Sequence, residues 1–357
     1  MWGKLISIQN LHSKTEALAP IVLCIASLVL VTLRYENWPL HLLSGGYDSD
    51  FAVLWFAGHA VLDGTPVYDV AALTEFTKVW HPNARYVAFL YPPFVLFLAV
   101  PFALLPMWLA FPLWNAASLL LFWLAARYYG RGWILVTPAT LVCLLFGQCG
   151  LMIGALWLWA WRLRPWAVVL LIAKPHIGFL AGFPFLREPR RLVAPAVIAA
   201  LLFAASVAAF GIEVWPAFFH QAFGTHAEQI RKDGTPVWVV QAVTPMIGYG
   251  LPGALLYGFA AVVMVWRRLD VFNAATATFL ISPYGFHYDL TVVCLGFGLL
   301  LAQRQLRWFE QLICLLAFLS PLIVGYGTWL VPPILLLGLW VQCRNPGVER
   351  IWGITGT

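Results

Sequence analysis

The chain of 357 residues is 62% hydrophobic and 10% charged, with a mean hydropathy of +0.83. Apolar runs of membrane length, separated by short basic turns, exclude a soluble globular domain. The formal net charge of +6 comes from 21 Lys and Arg against 15 Asp and Glu; the basic residues punctuate helices instead of forming a stripe with interleaved aromatics, so no nucleic-acid partner is expected. The six cysteines (24, 143, 149, 294, 314 and 343) lie in or at the ends of apolar runs and form no CxxC pair. They read as small packing residues, with neither a disulfide framework nor a metal site indicated.

In chain order, the apolar run from Leu18 to Leu33 comes too late and lacks a small-residue cleavage site, so it reads as a retained first helix over 16–33 and not as a signal peptide. Further helices are predicted near 107–126, 132–147, 149–162, 192–210, 247–266, 269–283, 288–303, 308–324 and 327–343. The run from Tyr91 to Leu105 is short for a span needing roughly 20 residues and opens on Pro92-Pro93, so it reads as a re-entrant or interfacial helix. The segment 166–186 is broken by Lys174-Pro175 and reads as a hairpin of two short helices. The whole reads as one integral membrane domain over 1–357.

Basic turns set the expected topology. Lys4/Lys14, Arg127/Arg131, Arg162/Arg164, Arg187/Arg190/Arg191, Arg267/Arg268, Arg304/Arg307 and Arg344/Arg350 mark the cytoplasmic side. Two external loops then stand out. The first, 34–106, carries Asp48, Asp50, Asp63, Asp69 and Glu75, with helix-like stretches near 50–62 and 70–80; the second, 211–246, carries Glu213, His220, His226, Glu228, Arg231, Lys232 and Asp233.

Few polar residues remain inside this apolar chain, and each has two readings. Asp50 stands just before an aromatic apolar stretch, where it is either a helix N-cap, worth about 1 kcal/mol, or a general base at the bilayer surface. Asp48 sits on a glycine-flanked turn and is otherwise a solvated loop acid. Lys174 interrupts an apolar run; an ionisable group at that depth is either a phosphate-binding cation or a snorkelling helix-end lysine. Gln148 is an inter-helix hydrogen-bonding residue or a site residue. His287, in the outer turn 282–289, either donates to a sugar hydroxyl or phosphate oxygen or sits at the interface, and Arg231-Lys232 binds an anionic group or lipid heads. The basic-turn topology places Asp50, Tyr91, Gln148, Lys174, Arg231 and His287 on one face, as a single external cavity requires. His176, beside Lys174, joins Asp48, Tyr91 and Gln148 as groups expected to touch sugar or acceptor.

These residues carry a family resemblance. The stretches 50–64 (DFAVLWFAGHAVLDG), 67–69 (VYD), 89–94 (FLYPPF) and 103–106 (ALLP), followed in order by Gly147-Gln148, Ala173-Lys174-Pro175, Ser282-Pro283 and His287-Tyr288, resemble glycosyltransferase family 87. These are polyprenol-phosphate-mannose-dependent mannosyltransferases of the glycosyltransferase C superfamily. The resemblance implies an all-α polytopic membrane protein of the glycosyltransferase C type, with about 10–13 transmembrane or re-entrant helices and a long first extracytoplasmic loop bearing juxtamembrane helices. It implies a polyprenyl-phosphate-linked sugar donor, a lipid or glycan acceptor, no required cofactor or metal, and inverting transfer. It also implies that Asp50 is the catalytic carboxylate and that Lys174 and His287, with Arg231, bind the donor phosphate. The expected setting is a bacterial cytoplasmic membrane, among membrane lipids, with the site facing outward. Two other classes fit the composition: a solute or ion transporter, which calls for paired midplane charges and pseudo-symmetric halves, and a non-catalytic scaffold of envelope assembly.

Overall fold

The computed structural model describes residues 19–35, 46–47, 49–129, 135–225, 241–266, 269–303, 306–324 and 327–345. Their regular structure is helical, with one isolated bridge between Ala242 and Phe286 in place of any strand among the described residues. The chain is an all-α polytopic membrane protein, and three of the described helices are long and apolar enough to cross a membrane: Met107–Ala126, Pro189–Phe210 and Pro245–Val265.

Local chemistry sets the helix ends. The first helix, α1 (Ala19–Arg34), is apolar along its length. Helix α2 (Phe51–Asp63) stops at Gly64, whose φ of 83° closes the last turn. Helix α3 (Val70–Thr77) starts at Asp69, whose carboxylate accepts from the Ala71 and Ala72 N–H groups. Pro92-Pro93 opens α4 (Pro93–Ala103), and α5 (Met107–Ala126) follows Pro106. Helices α6 (Pro138–Phe146) and α7 (Gly150–Trp161) flank a tight turn at 147–149.

The segment after Arg164 is the hairpin read from the sequence. Helix α8 (Pro165–Leu170) tightens into a 3-10 turn over Leu171–Ala173, Lys174 leaves helical geometry at φ −135°, ψ 72°, and α9 (Pro175–Leu186) runs back. The reversal brings Gly178 onto Leu171: a Cβ on Gly178 would lie 2.9 Å from Leu171 Cβ and 3.1 Å from its carbonyl oxygen. Residues seven apart in a straight helix are separated by about 10 Å, so this contact requires the fold-back. Helix α10 (Pro189–Phe210) then leaves Val193, Val197 and Leu201 exposed, a face suited to lipid.

Beyond α11 (Val214–His220), α12 (Pro245–Val265) kinks at Gly250, two residues before Pro252. Helix α13 (Val271–Ile281) is capped by Asp270 in a reciprocal box with Asn273. Helices α14 (Thr291–Gln303), α15 (Trp308–Phe318) and α16 (Val331–Arg344) complete the chain. The expected helix over 308–324 ends early, because Leu319 closes α15 and Pro321 starts a separate turn over Ser320–Ile323.

Two compact units emerge. One comprises 37–120 and 143–239, with α2 packed on α4, α7 on α8 and α8 on α10. Its core holds the fully buried Phe51, Phe89, Leu96, Met107, Leu151 and Leu158. The other comprises 1–36, 121–142 and 240–357; α12 packs on α13, α14 on α15, and α16 on α13 and α15, around Phe297 and Phe318.

Candidate active site

Asp50 precedes the first turn of α2, where an aspartate ordinarily accepts hydrogen bonds from that turn. Its carboxylate accepts none, and its backbone is already helical at φ −67°, ψ −21°. Asp69 and Asp270 show what capping looks like in this chain, each accepting from two successive backbone N–H groups. The N-cap reading of Asp50 therefore fails. Its own N–H is used to fix the backbone, donating to the Phe146 carbonyl at the end of α6 at 2.9 Å.

The carboxylate turns instead to Gln148, whose side-chain amide donates to Asp50 Oδ2. Gln148 is aimed by the turn between α6 and α7. Gly147 takes φ +64°, and a Cβ there would lie 2.7 Å from the Phe111 ring and 2.9 Å from Phe51 Cβ, so only glycine fits. The Trp114 indole N–H donates to the Gly147 carbonyl at 2.9 Å. The Gln148 N–H donates to the Cys143 carbonyl at 2.9 Å, and the Cys143 thiol donates back to the Gln148 carbonyl at 2.9 Å.

Asp50 and Gln148 stand in the wall of a cavity of about 380 Å³ whose other lining is almost wholly apolar, including Phe94, Leu98, Trp114, Met152 and Leu170. The Asp50 side chain is open to this space while protein surrounds it on most other sides. That burial raises its pKa above the usual carboxylate range; the Gln148 hydrogen bond and the Lys174 charge pull in the opposite direction. The result is an ionisable oxygen of raised basicity beside a hydrocarbon-lined space.

Lys174 lies at the hairpin reversal, 8% exposed, with its backbone carbonyl accepting from Ile177 and Gly178 N–H at 3.1 and 3.0 Å. Its neighbour Ala173 lines the cavity. His176, two residues on, has both ring nitrogens buried. Tyr91 also lines the cavity; its hydroxyl lies 3.2 Å from Cys149 Sγ, and its carbonyl accepts from the Tyr68 hydroxyl at 2.8 Å. Asp50, Tyr91, Gln148 and Lys174 thus share one unit and one neighbourhood.

Residues 89–283 match the family described as glycosyltransferase family 87. The chain belongs to this family. No curated protein and no solved structure matches it. As a family 87 glycosyltransferase it is an integral membrane enzyme that moves a sugar. The match takes in Tyr91, Gln148, Lys174, His176 and Arg231; Asp50 lies before it and His287 after it.

His287 belongs to the other unit of this glycosyltransferase. It begins a one-turn 3-10 helix over His287–Asp289 and is 1% exposed. Its Nε2 lies 3.5 Å from the Tyr35 hydroxyl. Burial, reinforced by the Arg34 charge and opposed by a hydrogen bond with the Gln241 backbone, lowers its pKa to about 4, so the ring is neutral at pH 7. Asp48 and Arg231 lie outside the described residues. The sequence reading missed three residues that build the site. Cys143 and Cys149 passed as packing residues and Trp114 was not singled out, although Cys149 adjoins Gln148 directly.

Proposed function

We propose that this family 87 enzyme transfers a hexose, mannose by family resemblance, from a polyprenyl-phosphate donor to a hydroxyl of a lipid or glycan acceptor. Asp50 is the general base. Its carboxylate takes the proton of the acceptor hydroxyl as that oxygen attacks the anomeric carbon. The bond from that carbon to the phosphate oxygen breaks, its electron pair leaves with the polyprenyl phosphate, and the configuration inverts. One carboxylate is enough, because no covalent glycosyl intermediate forms. Lys174 stabilises the charge that grows on the departing phosphate, and Tyr91, Gln148 and His176 contact the sugar or acceptor. Arg231, by family resemblance, adds charge at that phosphate. The polyprenyl tail lies along the cavity wall formed by α4. The reaction occurs on the extracytoplasmic face of the membrane, as the basic-turn topology requires.

The observation that carries this reading is the Asp50 carboxylate. It forgoes its helix cap, opens into an apolar cavity and is met by a neutral amide and a nearby lysine charge. A capping acid needs none of these. The test is incubation of the purified enzyme in lipid with polyprenyl phosphomannose, labelled in the sugar, and a membrane lipid extract. Label appearing in a new glycolipid or glycan, with inverted anomeric configuration, supports the reading. Label found only as free sugar or unreacted donor across a panel of polyprenyl-phosphate sugars removes it.

A further inference from the structure

Hydrogen bonds from Trp114 and Cys143 converge on the turn that carries Gln148, and neither residue has a part in the transfer itself. Trp114, on α5 and 3% exposed, donates its indole N–H to the Gly147 carbonyl at 2.9 Å. Cys143, on α6 and fully buried, gives its backbone carbonyl to the Gln148 N–H and its thiol hydrogen to the Gln148 carbonyl, both at 2.9 Å. Its sulfur also accepts from the Leu151 N–H at 3.3 Å in the first turn of α7. Both carbonyls of the Gly147-Gln148 pair are therefore held by side chains, and the polar side chain that this pair projects is the Gln148 amide. That amide meets Asp50.

We propose that Trp114 and Cys143 are positioning residues for the transfer, holding the Gly147-Gln148 turn so that the Gln148 amide stays on the Asp50 carboxylate. The inference rests on Asp50 as the base. Trp114 makes a second set of contacts in keeping with this role. Its ring packs on Phe51 at 5.2 Å, the residue next to Asp50, and on Phe102 at 5.6 Å. One side chain thus steadies both partners of the Asp50–Gln148 pair. A hydrophobic residue of similar size would fill the space equally well but could not hold the carbonyl, which gives the nitrogen of Trp114 a function separable from its bulk.

The consequence is readable in pH. A hydrogen bond donated to a carboxylate favours its charged form, so a loosened Gln148 lets the Asp50 pKa rise further and moves the acid limb of the rate profile upward. Among the described residues, the other titratable groups sharing the Asp50 neighbourhood are Tyr91 and Cys149 in the cavity wall and Lys174 on the hairpin, and none is altered by substitution at Trp114 or Cys143.

The experiment compares kcat against pH for the wild type, Trp114→Phe, Cys143→Ala, Cys143→Ser and Asp50→Asn, using the same donor and acceptor throughout. Trp114→Phe keeps an aromatic ring and loses the N–H. Cys143→Ala loses the donor, and Cys143→Ser restores one. The expected result is a kcat roughly tenfold lower in Trp114→Phe and Cys143→Ala, from loosening of the Gln148 hydrogen bond to the charged Asp50. The acid limb should move up by about half a pH unit or more, with donor KM within about twofold of wild type. Cys143→Ser should recover most of both. Profiles of Trp114→Phe and Cys143→Ala that coincide with wild type overturn the inference. So does a fall in kcat with the acid limb unmoved, which a merely structural loss would give. If Trp114→Phe does not fold, the Cys143→Ala and Cys143→Ser pair decides alone. Full activity in Asp50→Asn would instead remove the base assignment, a failure distinct from that of the positioning proposal.

Discussion

The side-chain amide of Gln148 donates to the carboxylate of Asp50, a residue 98 positions earlier in the chain. The pair joins the turn between α6 and α7 to the start of α2, and it stands where an apolar cavity meets its few polar groups. A neutral donor on a raised carboxyl tempers its basicity without neutralising it, which suits a base that must be ionised yet reactive.

Replacing Gln148 with leucine keeps the bulk and removes the donor. Transfer should fall by about tenfold or more, since hydrogen bonds to charged groups contribute roughly 1.5–3 kcal/mol. The acid limb of the rate profile should move to higher pH, because the carboxyl loses an interaction that favours its ionised form. A pH–rate series on wild type and variant checks both. An unchanged limb would separate Gln148 from the titration of Asp50.

Asp50→Asn should stabilise the enzyme while inactivating it. The folded-state pKa of Asp50 lies above its ordinary value because burial penalises the charge. A raised carboxyl contributes stability that is fully present below the unfolded pKa of about 4 and is lost as pH rises through the folded value. At pH 7 the buried carboxyl is therefore a cost that asparagine avoids. Thermal melts should show a higher melting temperature for the variant at pH 7, by a margin that shrinks toward pH 4. A lower melting temperature at pH 7 would contradict this.

Gly147→Ala and Gly64→Ala separate conformation from space. Both glycines have positive φ, +64° and +83°. A Cβ at Gly64 meets nothing within 4 Å, while one at Gly147 runs into Phe111 and Phe51. Gly64→Ala should cost about 1 kcal/mol from backbone strain alone, and Gly147→Ala about 2 kcal/mol or more along with most of the transfer activity. Chemical or thermal unfolding of both variants measures the difference; equal losses would mean the turn can shift to admit a methyl group.

Lys174→Met keeps the length of the side chain and removes its charge. On the proposed mechanism the leaving phosphate loses its cation, and transfer should fall by roughly 10²–10³-fold. The same change removes a charge that lowers the Asp50 pKa, so the residual activity should show its acid limb at higher pH. A rate profile displaced downward with no shift would assign Lys174 to the phosphate alone.

Much of the architecture was legible in the sequence because apolar length and proline placement report directly on helices in a membrane. The expected span over 107–126 coincides with α5, and the break at Lys174-Pro175 is the reversal of the hairpin. The site was legible only in part. Asp50 before an apolar helix reads as cap or base, since both begin with the same residue in the same place, and only the direction of the carboxylate shows that it caps nothing. Trp114 and Cys143 left no trace because their partners are backbone carbonyls, which every residue possesses and no pattern of side chains reveals. The break of α15 at Leu319 was hidden in a run whose apolar character continues past it.

On the proposed mechanism Asp50 is the base of a polyprenyl-phosphate-dependent transfer. The most direct measurement is transfer of radiolabelled mannose from polyprenyl phosphomannose to a membrane lipid extract, by wild type and by Asp50→Asn of matched fold. Product from the wild type, and a loss of about 10³-fold or more in the variant, is the predicted result. Equal product from both would contradict it and move the catalytic base elsewhere in the chain.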